Sequence, residues 1–312
     1  MVEWAQLAYL KDIQVNISSE FSIIKKYLSG IGASYLNTNG IDLAGGDDCA
    51  VIAANSKLLI STDTAVAGVH FLKSMPAESI AYRSVATALS DIAAMGGNPV
   101  AFNLSLVMPY FNPGWMKAFR KGLQRISKEF KLPLIGGDLA KGPLQISVTV
   151  LGKPEKKILL RSSAQSGDIL CLSSAVGSGY IGFKEYKRSG KLNNKTRPYL
   201  FPSAQIDYGR MIASFASSAI DISDGIIQDL SHLISSSGVG CNLDLEKIPV
   251  AAKKYTKQCL EFGDDYQILF TVPPKKLVAL EAELKSIKKK CHTIGIVSGN
   301  KLIISNNIFG PI

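Results

Sequence analysis

Strand-like stretches and amphipathic helical stretches alternate along the whole chain, and this mixture restricts the fold more than any other feature. Apolar and polar residues alternate in VAFNLSLVM (100–108) and LQISVTVLG (144–152), which predicts two strands. MPAESIAYRSVATALSDIAAMGG (75–97) predicts a helix that begins near Pro76 and ends before two glycines. Both halves of the chain contain both patterns, so the predicted fold class is α/β or mixed α+β.

The length predicts two domains. A chain of 312 residues is about twice a typical domain and can bury a large core. The polar stretch GKPEKKILLRSSAQSGD (152–168) is the best candidate boundary, which gives domains at 1–153 and 154–312. In the second half, the strand-like stretches DILCLSS, SAIDIS, GCNLDLE, YQILFTV and TIGIV alternate with predicted helices near 202–217, 225–236, 251–260 and 274–290.

Composition and cysteine usage predict a cytoplasmic protein with no membrane partner. No apolar run reaches transmembrane length, and the N-terminus lacks the basic start of a signal peptide. The five cysteines are odd in number, scattered, and form no CxxC pair. This usage predicts free thiols in a reducing compartment, not disulfides or a zinc site.

The net charge of +10 indicates an anionic partner, either nucleic acid or a phosphorylated metabolite. The densest basic run, KSIKKK (285–290), ends an amphipathic stretch, where a helix dipole favours cations. No aromatic residues interleave with these lysines, so the run is interpreted as a solvated helix face. The sequence therefore predicts no nucleic-acid partner.

Acidic residues gather beside glycines and at the ends of predicted strands, in a chain that is basic overall. An Asp in a Gly-rich turn can simply serve the turn, and Asp224 could cap the following helix. However, Asp63 and Asp138 end apolar strands, and Asp91 lies near the C-terminal end of a helix, where the dipole disfavours an anion. Several aspartates without matched cations favour a hard divalent metal, most simply Mg²⁺. The acidic positions are Asp47, Asp48, Asp63, Asp91, Asp138, Asp221 and Asp224.

The adjacent glycines suggest what the metal binds. Glycine lets the backbone approach a phosphate closely and leaves N–H groups free to bind it. Mg²⁺ uses one or two carboxylates and completes its shell with water and substrate phosphate. Acids beside glycines in a basic protein therefore predict a nucleotide held through magnesium.

One motif points to a different nucleotide. Gly177, Gly179 and Gly182 form G-x-G-x-x-G after a likely strand, which is the dinucleotide-binding fingerprint. The segment that follows is short, basic and broken, and it offers no strand that ends in an acid about 20 residues on. The sequence therefore disfavours the dinucleotide interpretation. The sequence contains neither a P-loop nor a protein-kinase signature.

The motifs, taken in order, resemble thiamine-monophosphate kinases, a family of the aminoimidazole-ribonucleotide-synthetase-like superfamily. The resemblance covers the chain from about Ser19 to near its end. The matching motifs are SEFSII, GGDDCAVI, STDTAVAGVHF, AYRSVATALSDIAAMGGNP, IGGDLAKGP, LLRSSAQSGD, AIDISDGIIQDL and GDDYQILF. The resemblance implies a two-domain homodimer, ATP and several Mg²⁺ between the domains, and transfer of the γ-phosphoryl group to thiamine monophosphate. It assigns ATP and metal binding and dimerisation to the N-terminal domain, and completion of the active site to the C-terminal domain.

The resemblance also implies the site residues. The implied metal ligands are Asp48, Ser61, Thr62, Asp63, Asp91, Asp138, Asp221 and Asp224. The implied ATP contacts are Gly137, Asp138, Arg161 and Ser223. His70 is implied on the thiamine phosphate side, although a lone histidine in a sequence is more often structural.

Two departures fall on the substrate side. The family usually has Glu in a GGEDYEL-like motif, and here FGDDYQI places Asp264 there, one methylene shorter. The family often ends in a Gly-aromatic-x-His-Phe tail, whereas this chain ends NNIFGPI, where Phe309 is the candidate substitute.

The chemistry that the resemblance implies needs no general base. The acceptor is a phosphate with a second pKa near 6, so it is largely ionised at neutral pH. Catalysis then reduces to alignment and charge neutralisation. Two alternatives remain: another superfamily member that activates an oxygen with ATP, and a non-catalytic, metal-dependent nucleotide-binding protein.

Overall fold

The computed structural model describes residues 23–43, 51–52, 57–299 and 302–305, and its two main sheets form a mixed α/β fold. The strands are β1 (Ile41–Leu43), β2 (Val51–Ile52), β3 (Leu59–Val66), β4 (Gly97–Met108), β5 (Leu134–Lys141), β6 (Gln145–Pro154), β7 (Ile169–Leu172), β8 (Ser218–Asp221), β9 (Gly240–Asp244), β10 (Ile268–Val272), β11 (His292–Ser298) and β12 (Leu302–Ser305). The α-helices are α1 (Ala77–Ala94), α2 (Pro113–Phe130), α3 (Ser178–Ser189), α4 (Arg197–Leu200), α5 (Ile206–Ile212), α6 (Ile226–Ser237), α7 (Thr256–Glu261) and α8 (Pro274–Ser286). Short 3₁₀ or π turns connect several of them, including Arg161–Ser163.

The first main sheet has four strands in the order β3-β6-β4-β5. The β3–β6 and β6–β4 pairs are antiparallel, and β4 and β5 are parallel. Helix α1 packs on α2 and on β3 and β6. The sheet therefore presents one face to helices, and β3 and β5 lie at its opposite edges.

The second main sheet has six strands in the order β12-β9-β11-β7-β10-β8. Only the β12–β9 pair among these described strands is parallel. One hydrophobic cluster runs from the first sheet through α1 to the face that carries Phe270. A second cluster lies on the other face, where Leu269 packs with Leu230 of α6. Helix α1 thus lies between the two sheets.

Most of the predicted elements are confirmed. The helix predicted over 75–97 is α1, and it ends before the two glycines as expected. The predicted strands at 100–108 and 144–152 are β4 and β6. Cys171, Cys241, Cys259 and Cys291 are free thiols, and Cys49 lies outside the described residues. Within the described part of the chain, none of the helices has the length and hydrophobicity of a transmembrane span.

Candidate active site

Strand β3 divides its polar side chains between the two faces of the first sheet. The Ser61 hydroxyl donates a hydrogen bond to Oδ2 of Asp91, at 2.5 Å. The hydroxyls of Thr62 and Thr149, on the neighbouring strand, are 2.8 Å apart. Because side chains alternate along a strand, Ser61 and Asp63 share the face toward α1, and Thr62 lies on the opposite face. The hydroxyls of Ser61 and Thr62 therefore lie on opposite faces of the sheet, and a single chain does not place both of them beside Asp91.

Asp63 and Asp91 form a pair of carboxylates whose charges are only partly compensated. Burial raises the pKa of Asp63, and the charge of Asp91 raises it further. The Thr87 hydroxyl and His70 lower it by less. Asp91 lies in the last turn of α1, where the helix dipole also disfavours a negative charge. This pair therefore favours a cation.

Asp221 brings a third carboxylate to this point from the other sheet. It ends β8 and is 4% exposed. Burial raises its pKa to about 7, with a further contribution from Asp91, while Ser90 and Arg161 lower it and Asp229 raises it. Asp63 and Asp221 thus both face Asp91, one from each sheet. The acidic cluster consists of Asp63, Asp91 and Asp221.

The loop after β8 is held by a residue that sequence reasoning did not identify. The Asp224 N–H donates to Oδ2 of Asp229, at 3.1 Å. Burial raises the pKa of Asp229 to about 6, although the N–H groups of the loop lower it. The Asp224 carboxylate is exposed, accepts a hydrogen bond from Gln228 at 3.2 Å, and does not cap α6. Asp229 therefore shapes the loop, and Ser223 and Asp224 lie on it. The signal for Asp229 was its place in the first turn of α6, directly after DISDG.

Arg161 lies close enough to Asp221 to lower the pKa of that carboxyl. It begins the 3₁₀ turn before β7, and its carbonyl accepts a hydrogen bond of 2.6 Å from the Ser237 hydroxyl at the end of α6. The side chain is exposed, so the guanidinium is available to an anionic ligand beside the acidic cluster. This position suits a nucleotide phosphate.

Gly137 and Asp138 lie on β5, at the edge of the first sheet opposite β3. A Cβ on Gly137 would lie 1.9 Å from the Leu104 carbonyl oxygen, so only glycine lets β5 approach β4 this closely. Asp138 is exposed beside Ser105 in the register. Within one chain, the structure does not bring Asp138 to the acidic cluster of β3 and α1.

His70 follows β3 in an exposed turn. The Val66 N–H donates to its Nδ1, at 3.1 Å, which places the ring proton of a neutral histidine on Nε2. His70 also lowers the pKa of Asp63 slightly. His70 therefore lies at the margin of the acidic cluster, with Nε2 free of this backbone bond.

Asp264 is held by partners within the protein. Its Oδ1 accepts hydrogen bonds from Arg83 of α1 and from the Tyr266 hydroxyl, the latter at 2.7 Å. Arg83 also donates to the Tyr199 carbonyl, at 2.7 Å. Sequence reasoning did not identify Arg83. Asp48 and Phe309 lie outside the described residues.

Two N–H groups of the G-x-G-x-x-G loop donate to a carboxylate of this chain. Asp265 accepts hydrogen bonds from the N–H groups of Gly177, at 2.6 Å, and Gly179, at 3.0 Å. These N–H groups lie at the start of α3, the position where a dinucleotide fold binds pyrophosphate. The structure thus gives a physical reason for rejecting the dinucleotide interpretation.

We expect Asp265→Ala to destabilise the protein by roughly 1–3 kcal/mol, because two buried N–H groups lose their acceptor. Denaturant unfolding with and without the substitution measures this loss. Asp207→Ala is the matched control, since that side chain is 92% exposed, and its free energy of unfolding should stay near that of the parent. An Asp265→Ala protein as stable as the control would contradict an anchoring role.

The described residues do not form a complete metal cage. Across 23–43, 51–52, 57–299 and 302–305, no three acidic, histidine or cysteine side chains are grouped closely enough to hold a metal ion by themselves. Carboxylates that face one another in pairs, beside the hydroxyl of Ser61, still match the oxygen ligands of Mg²⁺, which keeps water and substrate phosphate in its shell.

Comparison with known proteins covers almost the whole chain. Residues 24–153 match the family described as AIR synthase related protein, N-terminal domain. A thiamine-monophosphate kinase of Buchnera aphidicola is 36% identical over 298 residues, which is 90% of this chain and 91% of that protein. The crystal structure of thiamine-monophosphate kinase from Stenotrophomonas maltophilia has a TM-score of 0.82 at 29% identity and covers 92% of this chain and 96% of its own. A structure described as AaThiL complexed with AMPPCP and TMP has a TM-score of 0.74 at 27% identity, over 96% and 98% of the two chains.

Proposed function

The chain belongs to the thiamine-monophosphate kinase family and is a kinase, and we propose that it transfers the γ-phosphoryl group of ATP to thiamine monophosphate. The product is thiamine diphosphate, which makes this the last step in forming that cofactor. The observation that carries the proposal is the acidic cluster, where Asp63 and Asp221 face Asp91 from two different sheets. The similar structure described as AaThiL complexed with AMPPCP and TMP supports the choice of both substrates.

The acidic cluster fits Mg²⁺ carried with the nucleotide. Burial and the charge of Asp91 raise the pKa values of Asp63 and Asp221, so a bound cation would stabilise the cluster. The further proposed ligands are Asp48, Ser61, Thr62, Asp138 and Asp224, of which Ser61 contacts Asp91 of the cluster. When bound, Mg²⁺ neutralises charge that develops on the transferring phosphoryl oxygens.

The remaining residues bind and orient ATP. Arg161 lies beside Asp221, where its guanidinium can bind a phosphate that also faces the cluster. Ser223 lies on the loop that Asp229 holds, and Gly137 keeps β5 close to β4 beside Asp138. Alignment of this kind accounts for much of the catalysis in phosphoryl transfer.

The acceptor needs no proton abstraction, because its phosphate is largely ionised at neutral pH. We assign His70 to the phosphate of thiamine monophosphate, where Nε2–H can donate a hydrogen bond. Asp264 and Phe309 are assigned to the rest of the acceptor. No residue is assigned as a general base.

We also propose how the chain divides into domains and which domain forms the dimer. The first sheet ends at Pro154 and the second begins at Ile169, which supports domains at 1–153 and 154–312. The face of the first sheet away from α1 carries Ile60, which is 63% exposed, together with Thr62 and Thr64. A second copy that covers this face would form the predicted homodimer. The protein is proposed to act in the cytoplasm.

The test is incubation with ATP, Mg²⁺ and thiamine monophosphate, followed by chromatography for thiamine diphosphate. We expect stoichiometric formation of thiamine diphosphate and ADP. ATP consumption with a different acceptor would favour another activity of the superfamily. Binding of ATP without any product would favour the non-catalytic alternative.

A further inference from the structure

We infer that Arg83 is a positioning residue for the acceptor: it fixes one oxygen of Asp264 so that the other oxygen is presented to thiamine monophosphate. The inference rests on the proposed function, and it extends the site to a residue of α1 that does not itself touch the acceptor.

The Arg83–Asp264 ion pair is largely closed to water. The exposed fraction of the side chain is 7% for Arg83 and 14% for Asp264. The guanidinium carbon lies 4.9 Å from the centre of the Tyr199 ring and 6.0 Å from that of Tyr266. Two rings and two hydrogen-bond acceptors therefore fix the plane of the guanidinium.

Both hydrogen bonds that Asp264 accepts from Arg83 and Tyr266 end on Oδ1. Oδ2 takes part in neither of these two hydrogen bonds. Asp264 also retains some exposure, which a purely internal ion pair would not need. Oδ2 is therefore the oxygen that can accept a hydrogen bond from a ligand.

The backbone around Asp264 has little freedom to adjust. Asp264 has a φ of 60°, a left-handed value that is uncommon outside glycine. Its N–H donates to the Ser223 carbonyl at 2.8 Å, and the Tyr266 N–H donates to the Ile222 carbonyl at 2.8 Å. A Cβ on the preceding Gly263 would lie 2.3 Å from the Ser223 carbonyl oxygen, so the segment fits tightly against the loop after β8. The direction of the carboxylate is then set by its side-chain partners.

Arg83, Thr87 and Asp91 lie on one face of α1, because they follow one another at intervals of four residues. Arg83 contacts Asp264, Thr87 contacts Asp63, and Asp91 faces both other acids of the cluster. The rise of a helix separates the first and last of these positions by about 12 Å. One rigid helix thus sets the distance between the acceptor side and the nucleotide side, which in-line transfer requires.

The side chains of Arg83 and Asp264 are matched in length. At position 264 aspartate is one methylene shorter than glutamate would be, and at position 83 arginine extends further than lysine would. Glutamate at 264 would bring its carboxylate too close to Arg83 across a fixed backbone. Shortening the cation at the same time should restore the fit.

The test is a double-mutant cycle of Arg83→Lys, Asp264→Glu and the combined variant. For each protein, the KM for thiamine monophosphate is measured at saturating ATP, and the KM for ATP at saturating thiamine monophosphate. Calorimetry gives the Kd of thiamine monophosphate, and thermal melts report stability. Arg210→Lys is the matched control, because Arg210 pairs with Glu155 at 2.6 Å and belongs to no proposed site.

We expect each single substitution to raise the KM and Kd for thiamine monophosphate by about tenfold, with the KM for ATP within about twofold of the parent. The combined variant should return to within about threefold of the parent. Equal changes in both KM values, or a combined variant no better than the worse single one, would overturn the inference. If the parent binds thiamine monophosphate but forms no thiamine diphosphate, the proposed reaction fails, and the Kd cycle still decides the role of Arg83.

Discussion

Chelation of divalent cations with EDTA is expected to abolish phosphoryl transfer, and excess Mg²⁺ or Mn²⁺ is expected to restore it. Asp63 and Asp221 each face Asp91, and burial together with the charge of Asp91 raises the pKa values of both. An unneutralised cluster would repel the triphosphate of ATP. We expect the loss to exceed ~100-fold, the scale of removing a main electrostatic stabiliser. The initial rate of thiamine diphosphate formation, measured across a metal titration, checks this.

Thermal melts provide the control for this experiment. ATP with Mg²⁺ should raise the melting temperature, because binding to the native state stabilises it. ATP with EDTA should produce little of that rise. Full turnover in a metal-depleted sample would refute the metal-dependent mechanism, and an EDTA-induced collapse of the fold without nucleotide would show instead that metal is structural.

The features that sequence reasoning predicted are those with a local signature. The helix α1 has a proline at its start and glycines at its end, and the strands β4 and β6 show strict alternation. The prediction that Asp63 and Asp138 end strands is wrong, because β3 continues to Val66 and β5 to Lys141. Asp221 does end β8, and the family resemblance supplied the rest of the grouping of Asp63 and Asp221 with Asp91. Such patterns depend on a few neighbouring residues.

The features that sequence reasoning missed depend on contacts between residues that are far apart in the chain. Arg83 and Asp264 are 181 residues apart, and Gly177 and Asp265 are 88 apart. Nothing in AYRSVAT or in FGDDYQI shows that one supplies the counter-ion of the other. The segment after the G-x-G-x-x-G motif was interpreted as broken, yet α3 runs through Ser178–Ser189, because packing on α4 and α7 stabilises a helix of modest intrinsic tendency.

Asp63→Asn is expected to lower kcat by at least ~100-fold while leaving the metal-free protein as stable as the parent or more stable. The two effects have one cause. A pKa raised in the folded state means that folding disfavours the ionised carboxylate, so Asp63 destabilises the metal-free fold at neutral pH. Asparagine has nearly the same shape and no charge. The substitution therefore relieves repulsion with Asp91 and removes an oxygen ligand at the same time.

Thermal melts of parent and variant, with and without Mg²⁺ and ATP, separate this outcome from a structural role. The variant should lose the ligand-induced rise in melting temperature. Asp168→Asn is the matched comparison, because Asp168 is a buried aspartate next to a strand. Its carboxylate accepts hydrogen bonds from the Gln165 N–H at 3.1 Å and from the Thr271 hydroxyl at 3.2 Å. It should be less stable without ligand and keep the ligand-induced rise. If Asp63→Asn behaves like Asp168→Asn, with lower metal-free stability and near-normal turnover, then Asp63 supports the fold and not the reaction. Opposite signs in the two variants would mark Asp63 as a site that sacrifices stability for function.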